Sequence, residues 1–185
     1  MTALKDWPLV SSEAAGDHGL FKVTQDRAVS PRTGAERDFL VIHMPDWLQV
    51  VALTEEGRLL LVRQYRHGSR RLGLEVPGGL LDPQDSDPAR AAARELREET
   101  GYGAVELKRL GSLYPQPALM ANQVHFFSAV GVKRLGAMDQ DEGEDLEVVL
   151  VSVSEVGQLI ASARIHNAMT ITALSLAARA GLIRE

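Results

Sequence analysis

Several stretches of the chain have the pattern of β-strands, in which apolar and β-branched residues cluster between turns. Residues 20–29 and 36–44 have this character on either side of a Pro-Arg-Thr-Gly turn, which predicts a β-hairpin. Residues 47–54 and 59–66 are largely apolar and flank a second glycine turn, so they predict a second hairpin within the core. Residues 1–19 are rich in Ser, Gly and Ala and predict an arm with little structure of its own.

Helical signals occur in the middle and towards the end of the chain. Asp87 is a good N-cap, and Pro88 suits the first helical position. Gly101 can adopt the left-handed conformation that ends a helix, so the central helix is predicted to run to Thr100. The remaining segments are predicted as strands at residues 105–114, 124–132 and 146–153, and as helices at residues 154–161 and 168–180.

The central helix carries a cluster of carboxylates. Glu95, Glu98 and Glu99 are related by i,i+3 and i,i+4 spacing, which places them on one face within a turn. Like charges at this spacing repel unless a cation neutralises them, and hard oxygen ligands suit Mg²⁺ or Mn²⁺. Arg94 lies four residues before Glu98 and can pair with part of the cluster. The alternative is a solvated charged face, against which the preceding glycine turn argues.

Residues 94–102, Arg-Glu-Leu-Arg-Glu-Glu-Thr-Gly-Tyr, resemble the second half of the Nudix box, Arg-Glu-aliphatic-x-Glu-Glu-x-Gly-aliphatic. The final tyrosine is the only departure in this half. In the first half, Gly79 stands fifteen positions before the box arginine instead of fourteen, so one residue is inserted. The first glutamate of the family pattern, which supports the loop by pairing with that arginine, then falls on Ser86, with Asp85 next to it.

This resemblance to the Nudix hydrolase superfamily implies a fold and a division of the chain. The implied fold is α/β (α+β), with a mixed β-sheet sandwiched between helices and an N-terminal antiparallel β-hairpin or sheet. We therefore expect residues 1–45 to form an arm and hairpin for dimerisation and base binding, and residues 46–185 to form the Nudix catalytic core. The hairpin resembles that of the ADP-ribose pyrophosphatase and nucleoside diphosphate sugar hydrolase branch, where it contacts a second subunit, which implies a homodimer.

The same resemblance implies which residues bind the substrate and the metal. Arg66 ends an Arg-Gln-Tyr-Arg segment whose last arginine approaches the substrate phosphates in that branch. Pro117 lies fifteen residues after the box, where a proline marks ADP-ribose pyrophosphatases. Phe21 and Phe39 occupy places from which aromatic residues stack on the nucleobase, although each can instead pack the sheet. The implied metal ligands are Glu95, Glu98, Glu99 and the carbonyl of Gly78, with Arg94 and Glu98 also expected to act in catalysis.

Three further residues need a separate interpretation. Glu75 lies between apolar neighbours on a predicted strand, and desolvating it alone would be costly, so we expect it to be paired or to bind substrate. The acidic run at residues 139–145 is usually a solvated loop, but in this branch such a loop carries the glutamate that activates water. Glu142 is the favoured base, with Glu144 second. His125 lies in an apolar strand and is predicted to be a satisfied core histidine.

Composition limits the partners. The 185 residues carry a formal net charge of −5, which argues against nucleic acid as the main partner. The absence of cysteine removes disulfides and thiolate chemistry and is compatible with a reducing compartment. No apolar run reaches the roughly 18 residues of a membrane span, and no signal-peptide core is present, so we expect a cytoplasmic protein without a membrane partner.

These features predict an Mg²⁺-dependent enzyme, with Mn²⁺ as the other metal, that hydrolyses the diphosphate of a nucleoside diphosphate sugar. The favoured reaction converts ADP-ribose to AMP and ribose 5-phosphate. GDP-mannose or another nucleoside diphosphate sugar is the alternative, because the box specifies phosphoanhydride cleavage and neither base nor sugar. The alternative from another class is a non-catalytic Nudix nucleotide sensor, which the intact catalytic half of the box disfavours.

Overall fold

A computed structural model describes residues 4–140, 143 and 145–183. The chain divides into two compact units, one from Met1–Pro45 and Tyr114–Gln123 and the other from Asp46–Leu113 and Val124–Glu185. The strands are β1 (Leu9–Asp17), β2 (Lys22–Val29), β3 (Glu36–His43), β4 (Trp47–Thr54), β5 (Leu59–Arg66), β6 (Arg71–Glu75), β7 (Tyr102–Gly103), β8 (Leu107–Leu113), β9 (Val124–Arg134) and β10 (Glu147–Val151). The helices are α1 (Pro88–Thr100), α2 (Val156–Ala161) and α3 (Ala168–Arg179).

The second unit is built on a seven-stranded sheet in the order β10-β5-β4-β9-β7, with β6 beside β5 and β8 beside β9. The sheet is mixed, because β4 and β9 run parallel whereas β5 is antiparallel to β4, β6 and β10. Alternate residues of β4 enter different hydrophobic clusters, as the strand period requires. One cluster contains Leu48, Val50 and Ala52 with Ala91, Ala92 and Leu96 of α1, and the other contains Val51 and Leu53 with Ala173, Leu174 and Ala177 of α3.

Both faces of this sheet are therefore covered by helices, which confirms the predicted sandwich. Local signals set the bounds of α1 as the sequence predicts. The Asp87 carboxylate accepts a hydrogen bond from the Ala89 N–H at 2.9 Å, and Gly101 has a φ of 73°. The Gly101 N–H donates to the Arg97 carbonyl at 2.7 Å, so both helix ends are capped. None of the described helices has the length and apolar character needed to cross a membrane.

The first unit contains a three-stranded antiparallel sheet in the order β1-β2-β3. The hairpin of β2 and β3 was predicted, but the expectation of a mostly unstructured arm over residues 1–19 is wrong. β1 pairs with β2 from Leu9 to Asp17, and most of its residues are exposed. Apart from Leu9 and Val10, its residues are small or acidic, so no alternation of apolar side chains marks it as a strand, and backbone pairing defines it instead.

The segment between β8 and β9 belongs to the first unit. Ile42 donates its N–H to the Leu119 carbonyl at 2.8 Å and accepts the Ala121 N–H at 2.9 Å. Asn122, which is buried, donates its side-chain amide to the Pro45 carbonyl at 3.3 Å. The first unit thus joins residues up to Pro45 to a segment that is distant in sequence.

Candidate active site

A cleft of ≈ 850 Å³ opens in the second unit, where the end of β5, the loop after β6 and one face of α1 meet. This cleft contains most of the residues that the sequence predicted for phosphate and metal binding. It is also rich in further carboxylates, namely Asp82, Asp139 and Asp145. The predicted site residues that line it are Arg66, Gly78, Arg94, Glu95, Glu98 and Glu99.

The glycine turn packs directly against two of the box glutamates. Glu99 is only 4% exposed, and its Oε2 accepts a hydrogen bond from the Gly78 N–H at 2.9 Å. A Cβ built on Gly79 would overlap with the carboxylate of Glu95. Glycine at residue 79 is therefore what allows the Glu95 carboxylate to lie against the turn.

Arg94 joins the helix to the box loop. Its Nη1 donates to Glu98 Oε2 at 2.9 Å and lies 3.0 Å from Glu95 Oε1. Its Nη2 contacts Oδ2 of Asp82 at 3.3 Å and Oδ2 of Asp85 at 3.2 Å. Burial alone would lower the pKa of Arg94, but the charge of Glu95 and the hydrogen bond to Glu98 outweigh it and raise the pKa. The guanidinium therefore stays charged and holds the carboxylates together.

Asp85 performs the pairing that the family pattern assigns to a glutamate. The inserted residue moved that glutamate position to Ser86, yet the neighbouring Asp85 reaches Arg94 and also accepts the Asp82 N–H at 3.0 Å. Asp82 was not among the predicted site residues. The sequence did contain a signal for it, because Asp followed by Pro is typical of the first two positions of a β-turn, and the Asp85 N–H does donate to the Asp82 carbonyl at 2.9 Å.

The acidic cleft has the ligand chemistry of a divalent-metal site. Carboxylate and carbonyl oxygens are the ligands that Mg²⁺ and Mn²⁺ prefer, and the three box glutamates all reach the cleft. Within the described ranges, the His, Asp and Glu side chains do not already converge in threes on one metal position. Arg94 instead takes oxygens of Glu95 and Glu98, so a bound metal ion would share these carboxylates with the guanidinium.

Arg66 and Glu75 form a pair across the β5–β6 hairpin. Glu75 is 1% exposed, and it accepts hydrogen bonds from Arg66 Nε at 3.2 Å and from Arg66 Nη2 at 2.9 Å. The amide of Asn167 donates to the same carboxylate at 2.8 Å. The expectation that Glu75 is paired is confirmed, because three donors offset the cost of burying its charge. No local sequence signal singles out Asn167 for this pairing.

Three of the predicted substrate-binding residues belong to the first unit. Phe39 is 45% exposed, and its ring meets that of Trp7 edge to face at 5.5 Å. Phe21 lies 5.0 Å from the ring of His18. Pro117 lines a separate cavity of ≈ 450 Å³ within this unit. Their role in binding the substrate stays a prediction.

The predicted bases Glu142 and Glu144 lie outside the described residues. Three described residues of the same acidic segment, Asp139, Gly143 and Asp145, line the cleft. His125 is confirmed as a satisfied core histidine: its Nδ1 lies 2.6 Å from Ser112 Oγ and its Nε2 lies 2.9 Å from the Asp46 carboxylate. Both ring nitrogens are thus engaged inside the second unit.

A mixed sheet between helices, with the Arg-Glu-Leu-Arg-Glu-Glu helix facing an acidic cleft, defines a hydrolase site of the Nudix class. Residues 47–172 match the NUDIX domain model. The chain therefore belongs to the Nudix family. This match, together with similar proteins, confirms the prediction of a Nudix hydrolase, an enzyme that acts on phosphoanhydride bonds.

Similar proteins agree with this assignment. An ADP-ribose pyrophosphatase of Bacillus subtilis (strain 168) is 33% identical over 145 residues, which cover 78% of this chain and 77% of that protein. A GDP-mannose pyrophosphatase of Yersinia enterocolitica is 32% identical over 136 residues, covering 69% of this chain and 70% of that protein. The crystal structure of an ADP compounds hydrolase has the same fold, with a TM-score of 0.85, 24% identity and coverage of 97% and 96% of the two chains.

Proposed function

We propose that this Nudix hydrolase cleaves the diphosphate of a nucleoside diphosphate sugar, with ADP-ribose as substrate and AMP and ribose 5-phosphate as products. The observation that carries the proposal is the convergence of two arginines and three box glutamates on one cleft. Arginine provides planar donors for phosphate oxygens, and the carboxylates provide sites for cations that neutralise a diphosphate. The similarity to an ADP-ribose pyrophosphatase supports the choice of substrate.

Mg²⁺ is the proposed cofactor, with Mn²⁺ as the alternative. Glu95, Glu98, Glu99 and the carbonyl of Gly78 would hold it, since these groups supply hard oxygen ligands along one wall of the cleft. When bound there, such an ion neutralises phosphate charge and lowers the pKa of a water molecule.

The chain's own residues have distinct roles in this proposal. Arg66 binds a phosphate oxygen, and Arg94 keeps Glu98 and Glu95 in place through the contacts described above. Glu142, or in second place Glu144, accepts a proton from the attacking water. The water oxygen forms a bond to one phosphorus while the bond from that phosphorus to the bridging oxygen breaks, and the bridging oxygen leaves with the other phosphate.

A homodimer is part of the proposal, with residues 1–45 in the interface and with Phe21, Phe39 and Pro117 contributing to base binding. The first unit exposes several large apolar side chains, which supports a role in association. Leu9 is 61% exposed and Leu40 is 55% exposed. Light scattering during gel filtration measures the mass directly, and a monomer at micromolar concentration would contradict this part. A cytoplasmic location is also proposed, supported by the absence of cysteine.

The experiment that tests the proposal is product release from a panel of substrates in the presence of Mg²⁺. The panel contains ADP-ribose, GDP-mannose, UDP-glucose, NADH and a nucleoside triphosphate. AMP release from ADP-ribose at the highest kcat/KM is the expected result. A preference for GDP-mannose would favour the second candidate, which the similarity to a GDP-mannose pyrophosphatase supports. Tight nucleotide binding without turnover would overturn catalysis and favour a sensor.

Glu99→Gln tests the metal assignment. The substitution removes a charge while preserving the shape of a side chain that packs against Gly78, so we expect kcat to fall on the order of a hundredfold. Mg²⁺ should raise the melting temperature of the wild-type protein but not of the variant, because a ligand stabilises the state that binds it. Glu106→Gln, at an exposed residue that does not line the cleft, is the matched control. An unchanged rate in Glu99→Gln would contradict the assignment.

A further inference from the structure

The N-cap and the first turn of α3 contact two consecutive residues before the glycine turn, namely the last residue of β6 and the one that follows it. The Asn167 amide donates to the Glu75 carboxylate at 2.8 Å, and the Thr170 hydroxyl accepts the Val76 N–H at 3.2 Å. Glu75, Val76 and Thr170 are all buried. Hydrogen bonds away from water define side-chain positions more strictly than exposed ones, because leaving either group unpaired is costly.

Both ends of the Asn167 side-chain amide are in use. Its Oδ1 caps α3 by accepting the N–H of Met169 at 2.8 Å and that of Thr170 at 3.3 Å. Its Nδ2 donates to Glu75. The opposite orientation of the amide would place an oxygen against a carboxylate and an N–H₂ group against two N–H donors, so the helix cap determines which way the donor points.

Glu75 connects Asn167 to Arg66, a residue of the cleft. The Glu75 carboxylate lies between Asn167 and Arg66, and it accepts hydrogen bonds from Nε and Nη2 of Arg66. Arg66 lines the cleft, and its Nη1 makes no hydrogen bond to any residue that the structure describes. The plane of the Glu75 carboxylate therefore sets the direction in which Nη1 is presented.

We propose that Asn167 is a positioning residue that acts through Glu75 to aim Arg66 at the diphosphate. None of the described residues that line the cleft belongs to α3, so this helix influences substrate affinity without touching the cleft. The inference rests on the proposed function, in which Arg66 binds a phosphate oxygen.

Asn167→Ser separates positioning from helix capping. Serine is as good an N-cap as asparagine, but it lacks the amide that donates to Glu75. We expect the KM for ADP-ribose to rise roughly tenfold, with a smaller change in kcat and a melting temperature within a few degrees of the wild type. Asn167→Asp also caps the helix and adds a carboxylate against Glu75, so its KM should rise further. An unchanged KM in both folded variants would overturn the inference.

The same substitution in an Arg66→Ala background shows whether Asn167 acts through Arg66. If it does, Asn167→Ser should have no additional effect on KM once the guanidinium is absent, whereas independent effects would multiply. If the two effects on KM multiply, the inference is overturned while the proposed function stays intact. If Arg66→Ala itself leaves the KM of every substrate in the panel unchanged, the proposed role of Arg66 fails instead.

Discussion

β3 and β4 are both eight residues long and both rich in apolar residues, yet they have opposite environments. Seven of the eight residues of β4 are buried, whereas β3 has no buried residue. β4 lies inside a sheet whose two faces are covered by helices. β3 belongs to a three-stranded sheet, and Phe39 and Leu40 on it are about half exposed. Strand hydrophobicity therefore does not determine burial here; the layers packed on each sheet do.

This difference predicts where the chain is sensitive to mutation. In the second unit, side-chain packing on both faces of the sheet supports the strands that carry the cleft. In the first unit, backbone pairing and exposed ion pairs such as Arg27–Asp38 replace packing. Exposed pairs contribute little to the free energy of unfolding.

The largest expected effect is on the free energy of unfolding, when a Phe→Ala substitution in the second unit is compared with one in the first. Phe126→Ala removes a fully buried ring of β9 and should lower the free energy of unfolding by about 3–5 kcal/mol. The Phe39 ring contacts Trp7 edge to face but is half exposed. Phe39→Ala should therefore lower the free energy of unfolding by only about 1 kcal/mol. Urea denaturation of each variant at one protein concentration measures both. Equal losses would show that the first unit has a packed core after all.

An intermediate effect is expected at the glycine turn, on catalysis and not on stability. Gly79→Ala places a methyl group where the Glu95 carboxylate lies. Because this carboxylate is the end of a flexible side chain, we expect it to move while the fold remains, lowering kcat roughly tenfold. Steady-state assays and melting curves of the same preparation test this. A melting temperature that falls by more than about 5 °C would indicate that the turn itself had been disrupted. Gly157→Ala, in α2, where an added Cβ meets nothing within 4 Å, is the control for the substitution itself.

The smallest effect concerns pH and the surface of the first unit. The hydrogen bond from Arg27 lowers the pKa of Asp38 below its usual 3.8. Because the folded-state pKa is the lower one, the stabilisation is fully present above about pH 4 and is lost as the pH falls through the folded pKa. Titration of the Asp38 carboxyl by NMR should give a midpoint below 3.8, and Arg27→Gln should raise it. A midpoint that Arg27→Gln does not alter would show that the pair is broken in solution.

The parts of the fold that the sequence predicts are those determined by contacts between residues close together along the chain. The bounds of α1 follow from Asp87 and Gly101, which cap the helix ends through contacts within a few residues. The spacing of Glu95, Glu98 and Glu99 likewise fixes their common face. β4 and β5 were bounded correctly because a glycine turn separates two apolar segments.

The parts that sequence did not predict depend on residues distant along the chain. Glu75 and Asn167 are 92 positions apart, and no local pattern connects a strand end with a helix cap. The parallel pairing of β4 with β9 is equally non-local. Asp85 was missed as the partner of Arg94 for a different reason, since the family spacing pointed to its neighbour and only the path of the loop decides which side chain reaches the guanidinium.

The first unit is formed by two segments that are separate in sequence, and this affects how it folds during synthesis on the ribosome. The segment before Pro45 emerges early, but the backbone groups of residues 119–121 that pair with Ile42 emerge only after β4 to β8 and α1 have been made. The edge of β3 at Ile42 therefore lacks its native partner while the middle of the chain is translated. Such an unpaired edge is a site at which nascent chains aggregate, so the rate at which ribosomes cross residues 46–113 should influence the yield of folded protein.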